Sequence, residues 1–130
     1  MIDKLAWILL REGRILGTRS KGKDTWYIPG GKREAGESDH QALTREVKEE
    51  LSVHLVPSTI QPFGTFTAQA HGKDPGVMVQ MTCYTADYEG ELVAASEIAE
   101  IRWLGLADRG MVSAVDKLIF DDLRTKRLLT

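Results

Sequence analysis

From Trp26 to Val53 the chain reads W-Y-I-P-G-G-K-R-E-A-G-E-S-D-H-Q-A-L-T-R-E-V-K-E-E-L-S-V, a short apolar run, a glycine turn and an acid-rich helix in immediate succession. No other stretch concentrates charge of one sign so tightly. The helix is placed by its own signals. Ser38 followed by Gln41 is a capping box, and Asp39 adds a carboxylate where the helix dipole favours one. With the start near Ser38, Leu43, Val47 and Leu51 recur at helical spacing and form the stripe that must face a core.

Ala42, Glu46, Glu49 and Glu50 fall on the adjoining face. Carboxylates at this spacing have Cβ atoms about 5–6 Å apart, and each like-charged pair costs roughly 0.2–0.5 kcal/mol. Two readings account for them. Either Arg45 pairs with Glu49 across one turn and the acids are a solvated face, or the carboxylates supply oxygen ligands to a hard divalent cation, Mg²⁺ or Mn²⁺. The segment before the helix bears on the choice. In Pro29-Gly30-Gly31 the proline fixes its own φ and the glycines reach conformations closed to other residues. Gly36 is a further such point, able to turn Glu37 back toward the helix start.

Together these residues resemble the Nudix box: Gly, five residues, Glu, seven residues, Arg-Glu, an aliphatic, any residue, Glu-Glu, any residue, Gly, an aliphatic. Gly31, Glu37, Arg45, Glu46, Val47, Glu49, Glu50 and Val53 match, with Ser52 where the pattern has glycine. That departure falls at the helix exit, where glycine takes a left-handed conformation. A side chain there costs roughly 1–2 kcal/mol if the conformation is kept, so a shifted helix end is expected.

The 130 residues suit one domain, 1–130, with a core of its own, and 42% hydrophobic content argues against disorder. A net charge of −2 gives no general affinity for nucleic acid polymers or anionic membrane. The lone Cys83 excludes an internal disulfide, cannot build a zinc site and fits a cytoplasmic protein, with a packed strand position as its expected place. No apolar run is long enough to cross a bilayer.

Leu5–Leu10 reads as a buried strand, Glu12-Gly13 as a turn, and Ile15–Thr18 as a second strand. Arg19, Lys21 and Lys23 follow; Arg19 is the one whose fork suits two phosphate oxygens. Trp26–Ile28 is a short strand whose aromatics either pack in the core or stack on a base. Val53–Val56, Ile60–Ala70 and Val77–Tyr88 read as strands, the last two joined by a loop at 71–76. Alternation pairs Thr65 with Thr67 and Val79 with Met81, either pair a candidate pocket floor. His40, His54 and His71 are isolated and expected at the surface. Ile101–Leu104 is a last strand, and Val112, Val115, Leu118, Ile119 and Leu123 make 111–126 an amphipathic helix.

Strands on both sides of one helix, with a second helix at the end, give an α/β arrangement. The Nudix resemblance implies an α/β/α sandwich with a central mixed β-sheet. It also implies metal-dependent hydrolysis of the pyrophosphate linkage in a nucleoside diphosphate joined to another moiety, a nucleoside triphosphate or a related nucleotide. Glu46, Glu49 and Glu50, with the Gly31 backbone, would hold Mg²⁺ or Mn²⁺, Glu37 would support the glycine turn or a second metal through water, and Arg45 would orient a ligating carboxylate by a two-pronged contact. Glu50 or Glu97 would be the base, with Glu100 the alternative to Glu97, and Arg19, Gly30, Gly31 and Lys32 would meet substrate. The small-molecule nucleotide is the partner, for a monomer or a homodimer. The alternative function is a Nudix-like module that senses a nucleotide or ADP-ribose without cutting it. Such modules usually lack one or more of the box acids, all of which are present here.

Overall fold

The computed structural model describes residues 1–130. The chain runs β1 (Ile2–Trp7), β2 (Leu10–Arg11), β3 (Arg14–Ser20), β4 (Trp26–Tyr27), β5 (Gly30–Gly31), α1 (Asp39–Leu51), β6 (His54–Leu55), β7 (Gln61–Gln69), β8 (Met78–Thr85), β9 (Tyr88–Glu89), β10 (Ile98–Leu104) and α2 (Ala114–Thr125). The mixed central sheet has the order β5-β1-β8-β7, with β1 and β8 parallel and the other pairs antiparallel. A second sheet, β10-β3-β2 with β4 on β3, packs beside it.

Strand alternation divides the core into two layers. Leu5 and Trp7 of β1 and Tyr84 of β8 face α1, where Leu43, Val47 and Leu51 are wholly buried. Ala6, Ile8, Val79, Met81 and Cys83 face the other way, onto Val115, Ile119, Phe120 and Leu123 of α2. The central sheet is thus sandwiched between the two helices, and the helical stripes read from sequence point inward except at Leu118, which is 40% exposed. No helix is long and apolar enough to cross a membrane.

Several boundaries differ from the sequence reading. The first strand starts at Ile2 and breaks after Trp7, and the strand after the 71–76 loop leaves the central sheet after Thr85, so that Tyr88 and Glu89 pair with β6 instead. The last strand begins at Ile98, with an irregularity between Ile98 and Glu100, placing Glu100 within a strand. Thr65 and Thr67 are exposed and floor nothing.

Helix α1 starts as expected: the Ser38 side chain accepts from the Gln41 amide at 3.1 Å, and the Gln41 side chain accepts from the Ser38 amide at 2.9 Å. Its end corrects the expectation at Ser52. The helix is not shifted; Ser52 keeps the left-handed conformation, φ 65°, and its N–H bonds the Lys48 carbonyl. The hydroxyl of Ser52 donates to the Val93 carbonyl at 3.0 Å, which offsets part of the strain and pins the chain that follows β9 against the helix exit.

Candidate active site

The glycine turn is itself a strand. Gly30 and Gly31 pair antiparallel with Ala6 and Leu5, which sets their backbone at the edge of the central sheet and directly beneath α1. Gly30 requires glycine, and Gly31 gives the Glu46 carboxylate the room it occupies. Gly30 has φ 149°, and a Cβ there would collide with the Leu5 backbone; a Cβ on Gly31 would lie 2.5 Å from the Glu46 carboxyl carbon. The acid face of α1 therefore rests on bare backbone, and the Gly30 amide donates to Glu50 at 3.1 Å.

Arg45 organises the loop beside this contact. Its Nε and Nη2 donate to the two oxygens of Glu37 at 2.7 and 2.9 Å, Nη1 donates to Glu46 at 3.0 Å, and Nη2 also donates to the Lys32 carbonyl at 3.1 Å. Glu49 lies farther from Nη1, at 3.4 Å. The two-pronged contact expected toward a ligating carboxylate is made to Glu37 instead, because Gly36, at φ 83°, turns the chain back under the helix. Pairing with Arg45 and a bond from the Glu34 amide hold the Glu37 carboxyl down at about 2. Both its oxygens are thus engaged in the loop, so of the two places expected for Glu37 the geometry matches support of the glycine turn and not a group facing a metal.

A cleft of about 780 Å³ opens where these elements meet, walled by Gly30, Gly31 and Lys32 and by the carboxylates of Glu46, Glu50 and Glu97. Glu50 is 8% exposed, and burial, reinforced by the charges of Glu46 and Glu97, pushes its carboxyl up to about 8 despite the Gly30 bond. Burial also raises Glu46, against the pull of Arg45. Glu49 stands at the rim with its side chain 50% exposed.

Glu97 and Glu100 are separated by the strand that begins between them. Glu97 faces the cleft without an ion-pair partner, whereas Glu100 pairs with Arg19 at 3.3 Å and with Arg102 at 3.4 Å. The expectation for Arg19 is corrected by strand alternation. Thr18 and Ser20 face the cleft, so Arg19 points to the opposite side of β3, toward Glu100, the Lys23 carbonyl and the Trp26 ring. Trp26 is 3% exposed, a core residue. Tyr27, one of the two aromatics weighed for stacking on a base, lines the cleft, and Lys4 lines it unforeseen. Lys4 did carry a signal, as a cation at the head of an apolar strand; its burial lowers its pKa. Together with Met81, these residues also border a second, smaller hollow whose lining mixes Ile2, Val79 and Val115 with Gln69, His71 and Lys73.

No group of three or more His, Cys, Asp or Glu side chains is already drawn into coordinating positions. The donor chemistry nonetheless fits a hard divalent cation. Glu50 is a buried carboxyl with one hydrogen bond and no cationic partner, beside a second raised carboxyl and an unencumbered backbone. A cation there would require a swing of Glu49, whose exposed position leaves it room to make one.

A sequence model of the NUDIX domain matches residues 4–122, and the chain belongs to the Nudix family. It is 25% identical over 101 residues to the uncharacterized Nudix hydrolase YvcI of Bacillus subtilis, covering 78% of this chain but only 64% of that protein. It is 32% identical over 99 residues to the CTP pyrophosphohydrolase of Escherichia coli, covering 72% of this chain and 69% of that one. Among solved structures, that of the E. coli ORF135 protein superposes with a TM-score of 0.75 at 26% identity, covering 98% of this chain and 93% of that one. The MutT protein of Bacillus halodurans gives 0.71 at 25% identity, covering 93% and 80% respectively.

Proposed function

We propose that this chain is a divalent-metal-dependent pyrophosphohydrolase that cuts the diphosphate linkage of a nucleoside diphosphate joined to another moiety, with nucleoside triphosphates as the substrate class. The observation that carries this reading is the Glu50 carboxyl, buried against the Gly30 amide at 3.1 Å and facing a cleft in which no side-chain cation forms an ion pair with it. Leaving a charge so placed is costly unless something bound compensates it. The E. coli relative named CTP pyrophosphohydrolase supports the reaction type.

Glu46, Glu49 and Glu50, with the Gly31 backbone, would hold Mg²⁺ or Mn²⁺, which when bound offsets phosphate charge and acidifies a bound water. The residues of the chain divide the remaining work. Arg45 holds Glu37 and the Lys32 carbonyl, keeping the glycine turn closed under α1. Lys4 and Lys32 offer ammonium donors to phosphate oxygens from the cleft wall. Glu97, unpaired at the edge, takes the proton of the attacking water as its oxygen bonds phosphorus and the anhydride P–O bond breaks. Tyr27 and Met81, on the cleft wall, offer the surface against which a base would rest. The buried Cys83 fits a cytoplasmic setting.

The test is release of pyrophosphate or phosphate from a nucleotide panel with Mg²⁺. Turnover of at least one member is expected, with loss of turnover in Glu49→Gln while circular dichroism is unchanged. Unaltered turnover in that variant would remove the assigned ligands. Binding without turnover across the panel would make the chain a nucleotide sensor.

A further inference from the structure

The loop between the glycine turn and α1 is gripped from two sides, and the Nudix pattern accounts for one of them. On the inner side Arg45 holds Glu37 and the Lys32 carbonyl. On the outer side Arg33, at a position the pattern leaves open, pairs with Asp3 of β1 and with Asp39, the first residue of α1. Asp39 also accepts a 2.7 Å bond from the Tyr84 hydroxyl of β8, and the His40 ring lies edge-on to that tyrosine with centroids 5.4 Å apart. Tyr84 is 9% exposed, fixed on the sheet face that receives α1. Burial first, then Asp39, pushes its phenol up to about 12, so it remains a donor throughout the working pH range.

The value of this network lies in geometry more than stability. Its charged members are partly exposed, 31% for the Arg33 side chain, and pairs of that kind contribute at most about 1 kcal/mol. The helix is a lever, however. Glu50 lies about 16 Å along the axis from Asp39 at about 1.5 Å per residue. A tilt of a few degrees about the helix start moves that carboxyl by about 1 Å, a displacement that can cost a reaction about 100-fold.

We propose that Arg33 is a positioning residue for the carboxylates of α1: by fastening the loop and the first residue of the helix to β1 and β8, it sets the spacing between the Gly31 backbone and Glu46, Glu49 and Glu50. This rests on the proposed function, since the spacing matters only if those groups receive a cation and a diphosphate. The apolar stripe of Leu43, Val47 and Leu51 keeps the helix folded without Arg33, so the substitution is testable.

The experiment compares the unmodified protein with Arg33→Ala, Arg33→Lys and Tyr84→Phe. The measurements are Mn²⁺ affinity by calorimetry without substrate, kcat and KM with Mg²⁺, and the thermal midpoint. Arg33→Ala is expected to weaken Mn²⁺ binding and lower kcat by about tenfold each, the low end for groups that hold ligands in place. KM should move by less than about twofold. Arg33→Lys, which keeps the charge without the fork, recovers part of the loss, and Tyr84→Phe shifts both quantities the same way by less. Should Arg33→Ala lower only the thermal midpoint, the clasp is structural and the inference is overturned. A raised KM at unchanged kcat overturns it as well, because Arg33 would then meet substrate directly. If the unmodified protein neither binds Mn²⁺ nor cuts any nucleotide, the proposed function falls and this inference with it. A working parent with an indifferent Arg33→Ala removes the inference alone.

Discussion

The amide of Gly30 donates to the carboxylate of Glu50 across 3.1 Å, and no other group of the protein bonds that carboxylate. One neutral donor does not balance a buried charge. Its carboxyl, raised from 4.5 to about 8 by burial, therefore favours the folded state fully below pH 4.5, and that contribution is lost as the pH climbs through about 8. In metal-free protein at pH 8 to 9, Glu50→Gln should raise the unfolding free energy by an amount on the order of a few kcal/mol, and the thermal midpoint with it. Added Mg²⁺ should stabilise the parent but not the variant. A midpoint that falls in the variant at high pH would contradict this account of the site.

The two carboxylates near the start of β10 separate in the same way. Glu97 is unpaired in the cleft and Glu100 is tied to Arg19 and Arg102. Glu97→Gln should lower kcat by about 10²–10⁴-fold and flatten the acid limb of the pH–rate profile, as loss of a general base does. Glu100→Gln should leave kcat within about twofold. The reverse ranking in steady-state kinetics would assign the base to Glu100.

A second buried carboxyl lies outside the mechanism. Asp116, in the first turn of α2, is wholly buried; one oxygen accepts from the Ser113 hydroxyl at 2.9 Å and the Ile28 amide at 3.3 Å, and the other has no partner. Burial pushes it up from 3.8 to about 7, so its contribution to stability is complete below pH 3.8 and vanishes as the pH rises through about 7. Asp116→Asn can keep both accepted bonds without the charge. Denaturant titrations should show the variant more stable at pH 8, by an amount on the order of a few kcal/mol, with the gap narrowing as the pH falls toward 3.8. Equal stability at pH 8 would show that the carboxylate is compensated there.

At Ser52 the strain and its compensation can be measured apart. Ser52→Ala retains the left-handed φ of 65° and loses the bond to Val93, so it should destabilise by about 0.5–1.5 kcal/mol. Ser52→Gly loses the same bond but relieves about 1–2 kcal/mol of strain, leaving it equal to the parent or slightly more stable. A larger loss for glycine than for alanine in equilibrium unfolding would sink this reading of the helix exit.

What was legible in the sequence was local. The capping box of Ser38 and Gln41, the stripe of Leu43, Val47 and Leu51, and the sandwich of helices about a mixed sheet follow from periodicity, turn chemistry and the box resemblance. The gathering of Glu46 and Glu50 at the glycine backbone follows from the same segment. What escaped depends on partners remote in sequence. Whether Arg19 faces the cleft turns on which face of β3 is covered, and its neighbours in the chain do not record that. Lys4 enters the cleft because β1 pairs in parallel with β8, bringing it opposite Met81. Glu37 turned to Arg45 because of where Gly36 bends the chain, a direction that spacing alone leaves open. The left-handed Ser52 survived through a carbonyl on the segment after β9, beyond the reach of any local rule.

The parallel register of β1 with β8 has a consequence for biogenesis. Lys4 and Met81 are separated by most of the chain, yet both wall the cleft. A nascent polypeptide that has emerged only as far as α1 carries every acid of the box and has no completed cleft in which to use them. The cleft is complete only after β8 has docked between β1 and β7 and the segment carrying Glu97 has followed it.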